Sequence, residues 1–463
     1  MSQPTMIPFN PVIPFHGDVK SFAMLGPFQG PMEYDGWREE SQSWKNGAYL
    51  GAAITWGPMY TVKGPDAERF FSDHFVNDFP NMPVGGFRHG IACDAHGRIM
   101  IDGVIMRTAP DEFYTCWLGQ YIDYALSKGS YDAVGEDLTG RRFLFQVAGP
   151  RSLEILERAV GGDLHDIGFG RHRMAKIGKA HVRVFRLGMA GSLAYEVHGD
   201  IADGQGVFNA VWEAGRDQGL KKLGQIAYML NHTEDGFPQA NYHFPYPWYE
   251  DPGFAAYLDA RPGAGWMHYR PRLYGSMGDD ITKRYMTPFD TGWENRIEWQ
   301  HDFVGKEALL EMAKAPRRTV VTLEWNTDDV VDVYASQFRD GEPYEPISDR
   351  PNDIRYDPGT LDQATGQIRA FTYHADKVMK DGREVGLSSG RAVSQTYHRM
   401  ISLGFIERDL AKLGTEVVVV WGSPGWPQKE IRATVARFPY LQVERNDKID
   451  VEKIPRLSAS PAE

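Results

Sequence analysis

Two stretches of the chain repeat one local pattern, and this repeat constrains the fold more than any other feature. Residues 60–71 (YTVKGPDAERFF) and 145–156 (FQVAGPRSLEIL) each join a strand-like run, a Gly-Pro turn and a helix-like run, displaced by 85 positions. β-Rich sequence follows both units, at 98–107 and 112–118 after the first and at 181–198 after the second. The pattern predicts two similar α+β halves. Because Gly-Pro turns are common, a chance match is the alternative interpretation.

The rest of the chain divides by composition. The stretch 237–300 is dense in Tyr, Trp, Phe, His, Pro and Gly and has little periodicity. A segment so long and irregular is usually functional or ordered by packing, so we interpret it as an aromatic-rich insert. Further along, strand-like runs return (TVVTLEW, ISLGF, TEVVVVW). We therefore expect an α+β region at 1–315, a separate β domain at 316–445 and a tail at 446–463.

The charge of the chain argues against two classes of partner. The sequence holds 62 Asp and Glu against 50 Lys and Arg, which gives a formal net charge of −12. Such a chain has no general attraction for nucleic acid or for an anionic membrane, and neither is expected as a partner. Cys93 and Cys116 are the only cysteines, and the first residues carry no signal-peptide pattern. Those features are typical of a cytoplasmic protein.

The common catalytic motifs are missing from the sequence. It contains no HExxH, no Walker A loop and no GxGxxG after a strand. The 14 histidines show no compact metal-ligand spacing, so no metal site is predicted. The residues by themselves therefore indicate a multidomain α+β protein with an aromatic-lined cleft. They do not indicate which reaction it catalyses.

Five blocks of sequence carry a resemblance to a known family. They are MLGPFQGPMEYDGWREE (24–40), GRIMIDGVI (97–105), GMAGSLAYEVHG (188–199), AYMLNHTEDGF (227–237) and GLSSGRAVSQTYHRMISLGFI (386–406). In this order they resemble the aminomethyltransferase family, that of the glycine-cleavage T-protein. The resemblance implies two pseudo-repeated α+β folate-binding domains followed by a C-terminal antiparallel β-barrel. It also implies tetrahydrofolate as the cofactor.

A narrower resemblance suggests the reaction. TLEWNTDDVVDVYASQF (322–338) and MTPFDTGWENRIEWQHDFVGKEAL (286–309) are similar to the tetrahydrofolate-dependent aromatic O-demethylase branch of the family. The implied function is transfer of the methyl group of a methoxybenzoate to N5 of tetrahydrofolate, which gives 5-methyltetrahydrofolate and the free phenol. Another one-carbon transferase, such as an aminomethyltransferase or a sulfonium demethylase, and a non-catalytic folate-binding protein are the alternatives.

Three residues carry the implied chemistry. Tyr228 stands where the demethylases have a catalytic Tyr and the T-protein has an Arg, and its hydroxyl could protonate the departing ether oxygen. Glu196 occupies the family position that accepts the adjacent pterin N–H groups. Asp102 matches the catalytic Asp of the T-protein, although the paired Asp pattern of that protein is absent. A core Tyr, a solvated strand Glu and a turn Asp are the respective alternatives.

Further positions are expected to line the cleft. The resemblance assigns Phe237, Cys116 and Leu118 to the folate side and Trp56 to the substrate side. Because these residues make the pocket more apolar than that of a vanillate demethylase, a lipophilic methoxybenzoate such as dicamba is the expected substrate. The carboxylate of such a substrate needs a partner, and the candidates are His16, Arg107 and His232.

Overall fold

The computed structural model describes residues 19–25, 28–52, 54–55, 57–261, 270–351, 361–362, 367–368 and 370–457. Two of the predicted site residues, His16 and Trp56, lie outside the described residues. None of the described helices is both long enough and apolar enough to cross a membrane.

The first half of the α+β region contains eight of the described strands and four of the described helices. The strands are β1 (Ser21–Leu25), β2 (Phe28–Glu33), β3 (Ala48–Gly51), β4 (Met59–Lys63), β5 (Phe87–Cys93), β6 (Ile99–Ala109), β7 (Glu112–Cys116) and β8 (Val134–Asp137). The helices are α1 (Trp37–Glu40), α2 (Ser43–Asn46), α3 (Ala67–His74) and α4 (Gly119–Lys128). One sheet of this half has the order β5-β6-β7-β4-β8, and its pairings are antiparallel.

The second half builds a matching sheet. Its strands are β9 (Arg142–Ala148), β10 (His172–Ile177), β11 (Ala180–Phe185), β12 (Ala194–Asp200) and β13 (Leu220–Leu223). Its helices are α5 (Ser152–Val160), α6 (Gly204–Gly215) and α7 (Gln225–Asp235). The sheet order is β10-β11-β12-β9-β3-β13, so β3 of the first half completes the second sheet. Because β3 is hydrogen-bonded within the second sheet, the two halves form one continuous structure.

The repeated sequence pattern corresponds to equivalent places in the two sheets. β4 with α3 and β9 with α5 form the two strand–turn–helix units. In each turn the glycine has a positive φ, +143° at Gly64 and +130° at Gly149. A Cβ atom at either position would lie 2.4 Å from a backbone oxygen, of Asp132 and of Gly47 respectively. Only glycine permits this approach, so the repeat reflects a shared structural need.

The two sheets face each other across a common apolar layer. Met106 and Tyr114 of the first sheet and Leu144 and Phe185 of the second are buried in that layer together with Tyr228 of α7. Separate cores lie on the outer faces: α3 and α4 cover the first sheet, and α5 and α6 cover the second. Helix α7 therefore lies where the two halves meet.

The described part of the segment after α7 is irregular but well packed. It contains α8 (Pro252–Asp259), β14 (Arg270–Tyr274) and α9 (Lys306–Ala313). Trp248 and Phe254 are buried in the core of the first half, and Trp293 is buried against the C-terminal domain. The aromatic side chains of this insert thus replace regular secondary structure as the source of its order.

The C-terminal domain is an antiparallel barrel, as the resemblance implies. The elements are β15 (Arg318–Trp325), α10 (Thr327–Ala335), β16 (Leu361–Asp362), β17 (Gln367–Ile368), β18 (Ala370–Lys380), β19 (Arg383–Ser394), β20 (Arg399–Glu407), β21 (Glu416–Trp421) and β22 (Lys429–Ala436). The order β18-β19-β20-β15-β22-β21 closes through pairing of β21 with β18. The predicted fold class, two α+β halves and a C-terminal antiparallel barrel, is confirmed.

The chain after the barrel returns to the second half. Val451 is buried in the core of that half, and Arg186 donates to the carbonyls of Asn446 and Ile449, both at 2.7 Å. His165 also holds this segment, since its Nε2 lies 3.1 Å from the carbonyl oxygen of Ile454. The expected tail is therefore held against the second half through residues 446–454, while 455–457 are exposed and 458–463 lie outside the described residues.

His165 makes this contact as an imidazolium. Its Nδ1 lies 2.8 Å from a carboxylate oxygen of Glu157 and 2.7 Å from one of Asp163. A carbonyl and two carboxylates only accept hydrogen bonds, so both ring nitrogens carry protons. Burial opposes this charge, but the contacts with Ile454, Asp163 and Glu157 outweigh it and raise the pKa of His165 above its usual value.

We expect the contribution of His165 to stability to depend on pH. Because its pKa is raised in the folded state, the stabilisation is fully present below the ordinary histidine pKa of about 6.5 and is lost as pH rises through the raised value. The melting temperature of His165→Gln should fall well below that of the wild type at pH 6, and the difference should shrink toward pH 9. The exposed His181→Gln serves as the control. A difference that does not change with pH would contradict the imidazolium.

Candidate active site

A cleft opens between the two sheets, next to α7 and the start of the insert. Strands of both sheets contribute its polar floor, and α7 and the insert contribute an aromatic wall. The described residues that line it are Ile54, His89, Asp102, Gly103, Val104, Trp117, Gln146, Leu187, Met189, Glu196, Tyr228, His232, Phe237, Gln239, Ala240, Asn241 and Tyr246. Of the predicted site residues, the structure thus brings Asp102, Glu196, Tyr228, His232 and Phe237 together.

Glu196 supplies a buried carboxylate with acceptor capacity to spare. It lies on β12, a strand buried on both faces between β11 and β9, and it pairs in register with Gln146 of β9. Gln146 Nε2 is 3.4 Å from Glu196 Oε1, and His198 Nε2 is 3.0 Å from Glu196 Oε2. A carboxylate offers about four lone-pair sites, so two such contacts leave room for donors of a ligand.

Tyr228 brings a phenol into the same cleft. It lies in the second turn of α7, which follows Gly224 and ends at Gly236 in the left-handed conformation (φ +68°). Its ring packs edge to face against His232, with centroids 4.9 Å apart. Burial, and then the charge of Glu196, raise the pKa of the Tyr228 hydroxyl, so it stays protonated at neutral pH. No other described residue forms a hydrogen bond with this hydroxyl.

Asp102 is the centre of a hydrogen-bonded network. Its Oδ2 lies 3.0 Å from His89 Nε2, and its Oδ1 accepts a hydrogen bond of 2.6 Å from the hydroxyl of Tyr246. The backbone N–H of Asp102 donates to the oxygen of the same hydroxyl at 3.1 Å. The carboxylate is thus fixed in orientation by one residue of the neighbouring strand and one of the insert.

His232 and Phe237 close the cleft beside Tyr228. His232 Nδ1 donates to the carbonyl of Phe237 at 3.3 Å, and burial lowers the pKa of His232 to about 4. The imidazole is therefore neutral, and its Nε2 is a buried acceptor with no partner among the described residues. The Phe237 ring lies 5.3 Å from Trp293 and from His89, which completes an apolar wall.

Other predicted residues lie elsewhere. Cys116 and Leu118 are buried beneath the floor of the cleft rather than on its lining, and Leu118 lies behind Gly103. Arg107 donates to the carbonyls of Met82 at 2.9 Å and of Pro110 at 2.6 Å, and it does not line the cleft. The guanidinium of Arg107 thus forms hydrogen bonds within the first half of the fold. A role in ligand binding for these residues stays a prediction.

The sequence interpretation missed His89, Gln146 and Tyr246. A signal for His89 was present, since strands β5 and β6 are joined by a short turn and Ile91 pairs with Asp102. A hairpin through residues 94–98 places His89 near Asp102 on the adjacent strand. Tyr246 offered no such signal, because it reaches the site from a segment without periodicity.

A possible metal-ligand group lies outside the cleft. Among the described residues, Glu157, Asp163 and His165 place ligand atoms within 4.8 Å of one another. The imidazole of this group is engaged by both carboxylates and by the carbonyl of Ile454, as described above. The group therefore serves to hold the C-terminal segment.

Comparison with known proteins by sequence shows the family of this chain. The GCVT N-terminal domain pattern matches residues 19–243. The sesamin methylene transferase of Sinomonas sp. (strain No.22) is 48% identical over 430 residues, covering 92% of this chain and 93% of the relative. The syringate O-demethylase of Sphingobium sp. (strain NBRC 103272 / SYK-6) is 30% identical over 446 residues, covering 91% and 92%.

A solved structure agrees with the fold. The glycine cleavage system aminomethyltransferase T from Bartonella henselae superimposes with a TM-score of 0.66 at 16% sequence identity, and it covers 93% of this chain and 96% of the other. The predicted family is therefore confirmed: the chain belongs to the aminomethyltransferase (GCVT) family and is a transferase that uses tetrahydrofolate as its one-carbon acceptor.

Proposed function

We propose that this enzyme moves the one-carbon unit of an aryl ether to N5 of tetrahydrofolate and releases the phenol. The observation that carries the proposal is the protonated hydroxyl of Tyr228, which has no hydrogen-bond partner among the described residues and shares one cleft with the buried carboxylate of Glu196. The phenol of Tyr228 can donate a proton to the ether oxygen as it leaves, and the carboxylate of Glu196 can accept hydrogen bonds from the N–H groups of the pterin edge. The relatives named for sesamin and syringate support an aromatic substrate.

The residues of the cleft fit tetrahydrofolate. Glu196 has free acceptor positions, and the adjacent N–H donors of a pterin edge match them as charge-assisted hydrogen bonds. Phe237, supported by Trp293, offers an apolar face for a flat ring. When bound, the folate supplies the nucleophilic nitrogen. Glu196 orients the pterin, and the aromatic wall excludes water.

Tyr228 assists departure of the aryl oxygen. Cleavage of the carbon–oxygen bond places negative charge on that oxygen, and a neutral phenol leaves more readily than a phenolate. The Tyr228 hydroxyl is ready to donate because burial keeps its proton in place and no other described residue hydrogen-bonds to it. A donor held in a dry cleft stabilises developing charge more strongly than it would in water.

The charge of the lining favours a neutral ether. Asp102 and Glu196 contribute carboxylates, and no Lys or Arg occurs among the described lining residues. The carboxylate of a methoxybenzoate would meet like charges and find no cation there. A neutral methylenedioxyphenyl ring avoids that cost, and the relative named for sesamin methylene transfer, which shares 48% identity, supports it. We therefore place neutral aryl ethers ahead of dicamba, vanillate or syringate as substrates.

The folate product identifies the substrate class. A methylenedioxy carbon has the oxidation level of formaldehyde and should yield 5,10-methylenetetrahydrofolate and a catechol, whereas a methoxy carbon yields 5-methyltetrahydrofolate and a phenol. We expect a neutral methylenedioxybenzene to be consumed with at least about tenfold higher kcat/KM than a methoxybenzoate, as one mispaired charge costs on the order of 1.4 kcal/mol or more. Chromatography with mass detection measures both products. Turnover without folate, or preference for the benzoate, would contradict the proposal.

Replacing Tyr228 tests the proton donor. Tyr228→Phe should lower kcat by about 10²–10⁴-fold, the usual scale for a general acid, while KM changes less because the ring remains. The loss should shrink for substrates with electron-withdrawing ring substituents, whose phenolates leave more easily. Tyr195→Phe is the matched control. Tyr195 is a buried tyrosine next to Glu196 on β12, and it does not line the cleft. Normal turnover of a poor leaving group by Tyr228→Phe would reject the role.

Replacing Glu196 tests the folate site without any turnover. Loss of charge-assisted contacts worth roughly 1.5–3 kcal/mol corresponds to about 10–150-fold weaker tetrahydrofolate binding in Glu196→Ala. Glu196→Gln should recover little, because its amide places a donor against pterin donors. Asp200→Ala, at the exposed end of the same strand, is the control. Calorimetric titration measures the affinity, and unchanged binding by a folded Glu196→Ala would mean that the pterin is anchored elsewhere.

A further inference from the structure

Transfer of carbon to N5 requires a base as well as an acid. As the new N5–C bond forms, N5 must lose its proton, while the aryl oxygen gains one from Tyr228. The acceptor must be a group that lines the cleft and has an unoccupied lone pair. Among the described lining residues, the titratable candidates besides Tyr228 and Glu196 are Asp102, Tyr246, His89 and His232.

The carboxylate of Asp102 is already hydrogen-bonded on both oxygens, and one of its partners is His89. Each of its carboxylate oxygens receives a donor, His89 Nε2 at 3.0 Å and the Tyr246 hydroxyl at 2.6 Å. Tyr246 also accepts the backbone N–H of Asp102 at 3.1 Å, which fixes the phenol and the carboxylate to each other. This arrangement turns one oxygen of Asp102 toward the imidazole and holds it there.

The contact with Asp102 determines the tautomer of His89. A carboxylate only accepts, so Nε2 of His89 carries the proton and Nδ1 carries a free lone pair. That Nδ1 is buried and has no hydrogen-bond partner among the described residues. The ring itself is held edge-on to Trp293, with centroids 4.7 Å apart, and lies 5.3 Å from Phe237. An oriented imidazole beside a carboxylate is an arrangement that suits a general base.

His232 is the weaker candidate for the same task. Its Nε2 also has no partner among the described residues, but its Nδ1 is bound to the carbonyl of Phe237 and not to a carboxylate. The charge of Asp102 favours the imidazolium that proton uptake would form, but no carboxylate among the described residues is hydrogen-bonded to this ring. Burial lowers the pKa of His232 to about 4, which makes it a poor proton acceptor at neutral pH.

We propose that His89 is the base of the reaction and that Asp102 is its positioning residue. This inference rests on the proposed function. The N5–H bond breaks and an Nδ1–H bond forms on His89, while the C–O bond of the ether breaks and the N5–C bond forms. Tyr228 gives its proton to the aryl oxygen. The imidazolium then returns a proton to the Tyr228 phenolate, through solvent. With a methylenedioxy ring the second C–O bond breaks in the same way, as the N10–C bond forms, N10 loses its proton and the second aryl oxygen gains one, which completes the catechol.

The tautomer of His89 is measurable in the protein without ligands. Nitrogen-15 NMR of the labelled histidines should show one imidazole, assigned by its loss in His89→Gln, with Nε2 protonated and Nδ1 bare. The isosteric Asp102→Asn should disturb that tautomer, because an amide can donate to Nε2 as well as accept from it. A wild-type His89 with Nδ1 protonated would overturn the proposal, whatever the enzyme does with ethers.

Kinetics then separate a base from a structural histidine. His89→Gln should lower kcat by about 10²–10⁴-fold and leave tetrahydrofolate affinity within about threefold of the wild type. Added imidazole should restore part of the activity of His89→Gly and none of that of Tyr228→Phe. His181→Gln, on the exposed face of β11, is the control for a lost imidazole.

The possible failures are distinguishable. If the wild type consumes no aryl ether, the proposed function fails and the tautomer measurement still decides the state of His89. If the wild type is active but His89→Gln retains its kcat, or if His232→Gln loses far more activity and is the variant restored by imidazole, the assignment of the base to His89 is wrong. If His89→Gln does not fold, Asp102→Asn should still show the disturbed tautomer together with a lower kcat, and a normal kcat there would count against the proposal.

Discussion

The architecture depends on how the C-terminal end of α7 is held. Glu234, in its last turn, is fully buried, and Lys45 Nζ lies 3.0 Å from one of its carboxylate oxygens and 2.7 Å from the other. Ser394 of the barrel donates to the same carboxylate at 2.5 Å, and Thr233 donates to the carbonyl of Gly390 at 2.8 Å. Breaking one partner of such a buried ion pair typically costs about 3–5 kcal/mol. The first half, the second half and the barrel therefore meet at one helix end.

This anchoring explains how a cleft between two sheets can be rigid enough for chemistry. Tyr228 and His232 lie one turn apart on α7, so fixing the end of the helix fixes both side chains. Glu196 and Asp102 lie on central strands of the two sheets, which supply the opposite side. The insert then adds Tyr246 and Phe237, and these residues lock Asp102 and close the wall. A site built on strands and a buried helix is held more precisely than one built on loops.

Local patterns in the sequence predicted local structure well. The strand–Gly-Pro–helix repeat reflects a glycine that must approach backbone oxygen closely at Gly64 and again at Gly149. Strands β6 and β7 begin and end within about two residues of the predicted runs, because short, largely apolar runs define them. Three of the barrel strands, β15, β20 and β21, correspond to the strand-like runs TVVTLEW, ISLGF and TEVVVVW.

Contacts between distant parts of the chain could not be predicted from such local patterns. Nothing near Arg107 indicates that its guanidinium serves carbonyls of its own half, and nothing near Leu118 indicates that it lies under Gly103. The link between His165 and Ile454 joins residues 289 positions apart, so an apparent tail proved to be packed. Aligned family positions located Tyr228 and Glu196, but Tyr246 reaches Asp102 only through the folding of an aperiodic insert.

We infer that a tetrahydrofolate and an aryl ether meet in the cleft between Glu196 and Tyr228. A crystal structure of the enzyme with tetrahydrofolate and a slowly reacting aryl ether tests it most directly. We expect pterin N–H groups within hydrogen-bonding distance of the Glu196 carboxylate and the ether oxygen about 3 Å from the Tyr228 hydroxyl. A pterin bound away from Glu196, or an ether whose oxygen faces away from Tyr228, would contradict it.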